Sequence, residues 1–222
     1  MKIVKILSLI AILVFFASCK DDTTNPSDNT TLDAETGEFF PASLNTKWTY
    51  EFVQNGTTTT MTSTITGTEE YNGKTYIVAE SDYNGQIQKG HMRVEDGKYY
   101  SLIKDGTTSI KGDFELLHVD ENANEGDTWN IPTEVKVQGT SQTISTYYDV
   151  KLEEKLDSYE VRGNTYNDVM VMHLVLSVDY PNGFTFYMAN QKYYYARGVG
   201  VIKSVSVGGG QTITQELIEF EK

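Results

Sequence analysis

Turn-forming dipeptides recur along most of this chain and divide it into short segments. They are Asn55-Gly56, Asn72-Gly73, Asn84-Gly85, Asp96-Gly97, Asp105-Gly106, Gly163-Asn164 and Asn182-Gly183. Asn, Asp and Gly accept the positive φ angles that tight hairpin turns require. The intervening runs are about 8–14 residues long, which is typical of strands joined by hairpins. Tyr, a strand-favouring residue, occurs 15 times, against 4 Pro. The pattern predicts an all-β fold of roughly ten to twelve antiparallel strands.

We expect these strands to form a single antiparallel meander, as a strongly curved open sheet or half-barrel. A β-sandwich and a lipocalin-like barrel are the alternatives. Trp48, Tyr50 and Phe52 alternate with Thr49 and Glu51, which is the period of a strand with one buried face. No stretch after Cys19 has a convincing apolar period of a helix.

The first 19 residues have the layout of a secretory signal. Lys2 and Lys5 precede an apolar run over residues 6–16, and small residues precede Cys19, the only cysteine. The run is too short for a permanent span, which takes about 20 residues. The segment resembles a bacterial lipoprotein signal, which implies that residues 1–18 are removed and that Cys19 is lipidated, with palmitate among its acyl chains. An ordinary secreted protein with an incidental cysteine is the alternative.

Residues 19–38 are interpreted as the lipidated cysteine and a flexible tether, because residues 23–37 contain too few apolar side chains to fold. Residues 39–222 are then a single β domain. Lys20-Asp21-Asp22 resembles a surface-export signal of Bacteroidetes-type lipoproteins. We therefore expect a lipid-anchored protein of the outer membrane, with a periplasmic and a cell-surface orientation both open. Asp22-Thr23-Thr24 resembles an O-glycosylation acceptor of the same bacteria, but so short a motif also arises by chance, and glycosylation of Thr23 stays open.

Three segments resemble a family of uncharacterised bacterial lipoproteins of the Bacteroidetes type. They are residues 39–41 (FFP) with 48–50 (WTY), residues 163–169 (GNTYNDV) and residues 195–203 (YARGVGVIK). The resemblance implies a domain similar to the LolA/LolB lipoprotein-carrier architecture, a curved antiparallel sheet that often encloses an apolar hollow. It does not imply carrier activity. We interpret Gly198 and Gly200 as a kink within one strand.

Composition and motifs argue against several functions. The net charge is 18 − 31 = −13, so the chain lacks the basic footprint of a nucleic-acid binder. The three histidines and one cysteine have no zinc-ligand spacing, and Gly-x-Ser-x-Gly is absent. The acidic run over residues 120–127 does not match a calcium loop. We expect no enzyme activity, no catalytic residue, no metal and no cofactor.

The strand over residues 168–180 suggests where a ligand binds. Its alternate residues form a fully apolar face, which the next strand continues, and such Met- and Phe-rich faces suit either a core or the lining of a hollow. A Tyr triplet and an Arg follow, and one of three consecutive strand residues has to face away from the other two. The predicted ligand-binding residues are Met170, Met172, Phe184, Phe186, Tyr194 and Arg197.

The leading functional hypothesis is a non-catalytic binding or carrier module for an apolar or amphiphilic, lipid-like ligand, attached to the membrane by its lipid. It predicts a closed apolar hollow. The alternative is a surface glycan- or protein-binding accessory lipoprotein, for which Trp48, Trp129 and the triplet 193–195 are candidate aromatic residues. That alternative predicts exposed, coplanar aromatic side chains and a filled core.

Overall fold

The computed structural model describes residues 32, 34–105, 110–136, 143–179, 185–208 and 210–222. Cys19, the signal segment, Thr23 and Phe184 lie outside the described residues, and Phe186 is described by its backbone alone. The chain forms twelve strands: β1 Lys47–Gln54, β2 Thr57–Tyr71, β3 Lys74–Tyr83, β4 Gln86–Glu95, β5 Lys98–Ile103, β6 Phe114–Asp120, β7 Thr128–Lys136, β8 Thr143–Val161, β9 Asn164–Asp179, β10 Thr185–Ala196, β11 Gly200–Gly208 and β12 Gln211–Glu221. No helix occurs within these described ranges. The predicted all-β fold and its number of strands are confirmed.

All twelve strands belong to one antiparallel sheet. Each strand pairs with its neighbour in sequence, except that β6 and β7 form no ladder and β1 pairs with β12. The β1–β12 ladder runs from the Lys47–Glu221 pair to the Gln54–Ile213 pair. The sheet curves until its two edge strands, β6 and β7, come together. The result is a nearly closed, barrel-like sheet with one unsealed seam.

Side chains and loop contacts bridge this seam in place of a ladder. The Trp129 indole N–H of β7 donates to the Leu117 carbonyl of β6 at 2.9 Å. Just before β6 begins, the Lys111 N–H donates to the Glu134 carbonyl at 2.8 Å, and the Lys111 ammonium lies 2.7 Å from the Glu134 carboxylate. Pro132 has no N–H to offer to another strand, which protects the β7 edge from unwanted pairing.

Four hairpin turns lie at the dipeptides that predict them, whereas Gly106, Asn182 and Gly183 of two further dipeptides lie outside the described residues. Asn55, Asn72, Asn84 and Asp96 have φ angles of 50–53° and are each followed by a glycine with positive φ. Such pairs form the turns that match the twist of antiparallel strands.

Two local interpretations are wrong. The β8–β9 turn is formed by Arg162 and Gly163, with φ of 53° and 80°, and Asn164 already belongs to β9. The segment around Gly198 is a turn between β10 and β11, and no continuous strand passes through it. The physical reason is that Gly198 and Gly200 have φ of 75° and 99°, which reverses the chain.

The first described segment crosses one end of the sheet, and we call residues 37–42 the N-terminal strap. The Phe39 N–H donates to the Tyr99 hydroxyl oxygen at 2.9 Å, and the Gly198 N–H donates to the Glu38 carbonyl at 2.6 Å. Phe39 is buried in the core, and the ring of Phe40 stacks on Trp48 with a centroid distance of 5.3 Å. The strap therefore joins β5 to the β10–β11 turn.

The buried ring of His118, in β6, makes stability depend on pH. The ring is 3 % exposed and meets Tyr193 edge-on, with centroids 6.2 Å apart. Burial lowers the pKa of His118 to about 4, from 6.5. Above pH 6.5 the ring is neutral in both states. Between that pH and about 4, the unfolded chain binds a proton that the folded chain excludes, which lowers the free energy of unfolding by about 3 kcal/mol.

We expect His118→Phe to remove this part of the acid dependence, because phenylalanine keeps the ring and cannot bind a proton. Urea unfolding of both proteins between about pH 7 and pH 4 measures it. The wild-type protein should lose stability toward acid more steeply than the variant, since all other titrating groups are common to both. Equal slopes would contradict the assignment to His118.

Candidate functional site

The interior of the sheet is filled. One cavity of about 40 Å³ lies there, and its lining includes Phe40, Trp48, Tyr193 and Gln215. A few waters fit in such a space, whereas pockets for small molecules measure about 300–1,000 Å³. Met172 does not line the cavity. Among the residues that the structure describes, this interior cavity is far smaller than the apolar hollow that the carrier hypothesis predicts.

The predicted ligand-binding residues are distributed over separate places. Met170 and Met172 are 3 % and 0 % exposed and belong to the main core. Tyr194 is half-buried because Tyr159, from the long β8–β9 hairpin, stacks on it with ring centroids 4.5 Å apart. Arg197 is exposed at the strap end of the sheet, where it forms an ion pair with Glu38.

Two of these residues share a small surface pocket. Met170 and Arg197 both line a space of about 140 Å³, together with Phe39 and Asp168. The Arg197 guanidinium lies 3.4 Å from the Asp168 carboxylate and 5.0 Å from the centre of the Phe39 ring. Protein groups therefore already hold this side chain.

An exposed pair of tyrosines lies on the outer face of the sheet. Tyr147 and Tyr187 are 56 % and 60 % exposed, although both are in strands. Each is directly opposite Ser177 of β9, one from β8 and the other from β10. Leu176 and Val178 are buried, so Ser177 and its two partners face outward. We call Tyr147 and Tyr187 the tyrosine clamp.

The clamp is the first of three rows of outward-facing side chains that cross β9. Two strand spacings separate the Cα atoms of the tyrosines, about 9–10 Å, so the two rings flank a small serine. The next outward row contains Asp149, Val175 and Asn190, and the third contains Lys151, His173 and Lys192. We call these three rows the β9 trough. Its rows span four residues, about 14 Å along the strand.

Beside this floor the surface opens into a groove of about 290 Å³. Its lining includes Thr128 and Asn130 of β7, Asp149 and Lys151 of β8, and His173 of β9. The Asn130 amide donates to the Asp149 carboxylate, which leaves further acceptor positions of that carboxylate toward solvent. The groove therefore offers both donors and acceptors beside the apolar Val175.

Glu153 closes the far end of the trough. It lies at a β-bulge of β8, and its carboxylate is 2.6 Å from the Lys192 ammonium and 3.2 Å from Nδ1 of His173. The other ring nitrogen of His173 is 2.8 Å from Oδ1 of Asn190. Burial would raise the pKa of Glu153, but the hydrogen bond and charge of Lys192 outweigh it and lower that pKa. At this end of the trough, the Glu153 carboxylate is therefore already paired with the Lys192 ammonium and the His173 ring.

A second polar cluster covers the outer face of β3–β6. Glu115 accepts hydrogen bonds from Arg93 Nε and from the Tyr76 hydroxyl, both at 2.8 Å, and it also pairs with Lys74. Burial alone would raise the pKa of Glu115, but these bonds, led by Arg93, lower it to about 2. Arg93 also donates to Glu95 at 2.7 Å. Each cation here has a carboxylate partner, so we interpret the cluster as structural.

The comparisons with known proteins address the fold. The chain matches no protein-family model and no curated protein. It is similar to a solved structure from Bacteroides fragilis, described as an exported protein with a YmcC-like fold, at 14 % identity and a TM-score of 0.52, over 84 % of this chain and 100 % of the other. A protein from Parabacteroides distasonis, described as a lipoprotein, aligns at 14 % identity and a TM-score of 0.51, over the same shares of the two chains. The likeness shows a shared fold.

The implied likeness to the LolA/LolB architecture stays a prediction.

Over the described residues, the chain has no helix of the length and apolarity that crossing a membrane demands.

We expect Glu115→Gln to destabilise the fold by about 2 kcal/mol or more, because it leaves the partly buried Arg93 short of its main counter-charge. Glu134→Gln is the matched control, since the Glu134–Lys111 pair is exposed and such pairs contribute about 0–1 kcal/mol. Chemical unfolding of the two variants measures the difference. Equal losses would show that the β3–β6 cluster behaves as an ordinary surface network.

Proposed function

We propose that this protein is a non-catalytic glycan-binding module of the cell envelope, held to the outer membrane by a lipid on Cys19. The observation that carries the proposal is the tyrosine clamp, in which two exposed rings flank Ser177 on one face of the sheet. The CH faces of a sugar ring pack well on tyrosine, and its hydroxyl groups need polar partners close by. Asp149, Asn130 and Asn190 supply such partners beside the clamp.

The filled interior favours this proposal over the carriage of an apolar ligand. A cavity of about 40 Å³ does not hold an acyl chain, so an apolar cargo would have to displace core side chains. The tyrosine clamp needs no such rearrangement because it is already open to solvent. Exposed aromatic side chains that lie together on a rigid strand scaffold are typical of binding surfaces.

The envelope location rests on two supports. The segment ending at Cys19 resembles a lipoprotein signal, and two proteins of similar fold are described as exported and as a lipoprotein. Lys20-Asp21-Asp22 supports exposure at the cell surface, where glycans are accessible. The absence of catalysis is part of the proposal, because Glu153 holds both Lys192 and His173 at the end of the trough.

Binding of the purified protein to a panel of immobilised neutral and acidic polysaccharides tests the function. We expect retention on at least one member, with Tyr147→Ala and Tyr187→Ala each weakening it about tenfold, through loss of roughly 1.4 kcal/mol of ring stacking. Ile87→Ala is the matched control, since Ile87 is 57 % exposed but lies in β4, outside the trough. The proposal fails if no polysaccharide is retained, or if the control weakens binding as much as the tyrosine variants.

A separate variant tests the anchor. We expect Cys19→Ser to move the protein from the membrane fraction to the soluble fraction, because the lipid acceptor is lost while the domain is unchanged. Intact mass measurement of the wild-type protein should show added acyl chains, and that of the variant should not. An unmodified wild-type protein that begins elsewhere than Cys19 would contradict the lipoprotein interpretation.

A further inference from the structure

We infer that the β9 trough binds a linear, uncharged oligosaccharide that lies along β9 and contacts it through more than one sugar ring. The inference rests on the proposed glycan-binding function and names the class of glycan. Its basis is the order of three rows of outward-facing side chains along β9. The first row is the tyrosine clamp with Ser177, and Glu153 lies beyond the last row.

The rows differ in what they offer to a ligand. The first row provides two aromatic faces around Ser177. The second provides the Asp149 carboxylate and the Asn190 side chain on either side of the half-buried Val175. A sugar ring has polar hydroxyl edges and apolar CH faces, so stacking fits the first row and hydroxyl recognition fits the second.

The distance between the rows calls for a chain rather than a single sugar. The clamp row and the His173 row are about 14 Å apart along β9. The Asp149 row lies halfway, about 7 Å from the clamp row. A ring held between Tyr147 and Tyr187 therefore reaches no further than the second row and does not contact the third row, at Lys151 and His173. A second or third ring of the same chain does, because successive rings of a linear glycan extend in one direction.

The charge distribution favours an uncharged chain. Within the trough, Lys151 and Lys192 are balanced by Asp149 and Glu153, so the site has no excess of positive charge. The whole chain has a net charge of −13, which repels a polyanion at long range. Moving the carboxylates of an acidic glycan out of water against this surface would be costly. Hydroxyl groups carry no charge, so taking them out of water costs less, and hydrogen bonds to the polar side chains of the trough offset that cost.

Titration calorimetry with oligosaccharides of defined length tests the inference. The probes are cello-, laminari- and malto-oligosaccharides of one to six units, with oligogalacturonates of the same lengths as the acidic series. In at least one neutral series, we expect affinity to rise tenfold or more from the monosaccharide to the trisaccharide and then to level off. The acidic series should bind more weakly at every length.

Two variants separate the rows. Tyr187→Ala should weaken every length by a similar factor, because each chain uses the clamp. Lys151→Ala should spare the monosaccharide and remove most of the gain with length, because only longer chains reach the third row. Lys155→Ala is the matched control, since Lys155 is an exposed lysine of the same strand outside the trough.

The outcomes distinguish this inference from the function on which it rests. A monosaccharide that binds as tightly as a trisaccharide, or an acidic series that binds more tightly, overturns the inference while glycan binding stands. The same holds if Lys151→Ala weakens all lengths equally. If neither these probes nor the polysaccharide panel binds, the glycan-binding function fails, and the inference fails with it.

Discussion

Backbone hydrogen bonding between β1 and β12 joins two runs of six strands into one sheet. Each run alone is a local meander of hairpins, and each would expose an edge at β1 or at β12. Pairing the first strand with the last removes both edges and fixes the curvature that brings β6 and β7 together. The inner face can then close over the two clusters of buried core residues, and the outer face of β8–β10 becomes a surface on which side chains lie in rows.

The two runs have corresponding parts. Trp48 and Trp129 are each the second residue of the first strand in their run, and each indole donates to a carbonyl, of Val199 at 2.6 Å and of Leu117 at 2.9 Å. The long hairpins β2–β3 and β8–β9 also correspond. Tyr76 and Tyr166 each follow the turn glycine of their hairpin by three residues. The two runs meet twice. At β1 and β12 they form a hydrogen-bonded ladder, and at β6 and β7 they meet at the unsealed seam.

The features that the sequence predicts correctly are those that depend on residues close together in the chain. Turn dipeptides set the hairpins, and the alternation around Trp48 identifies a core strand. The apolar stripe at Met170 and Met172 is correctly located on one face, but it packs the core because a filled sheet needs such residues. The tyrosine clamp depends on the register of β8 and β10 against β9, including bulges that no local pattern reveals. Alternation could have shown that Tyr147 and Tyr148 face opposite ways, but not that Tyr187 lies in the same row.

The N-terminal strap lies at one end of the sheet and the tyrosine clamp lies toward the other. The strap enters at the end where β10 finishes, beside Gly198, whereas Tyr187 lies near the start of that strand. The nine-residue path from Tyr187 to Ala196 is about 30 Å long. The tyrosine clamp and the strap therefore lie at opposite ends of β10. With the proposed lipid anchor ahead of the strap, the length of this one strand would separate the proposed binding surface from the end of the domain that leads to the membrane.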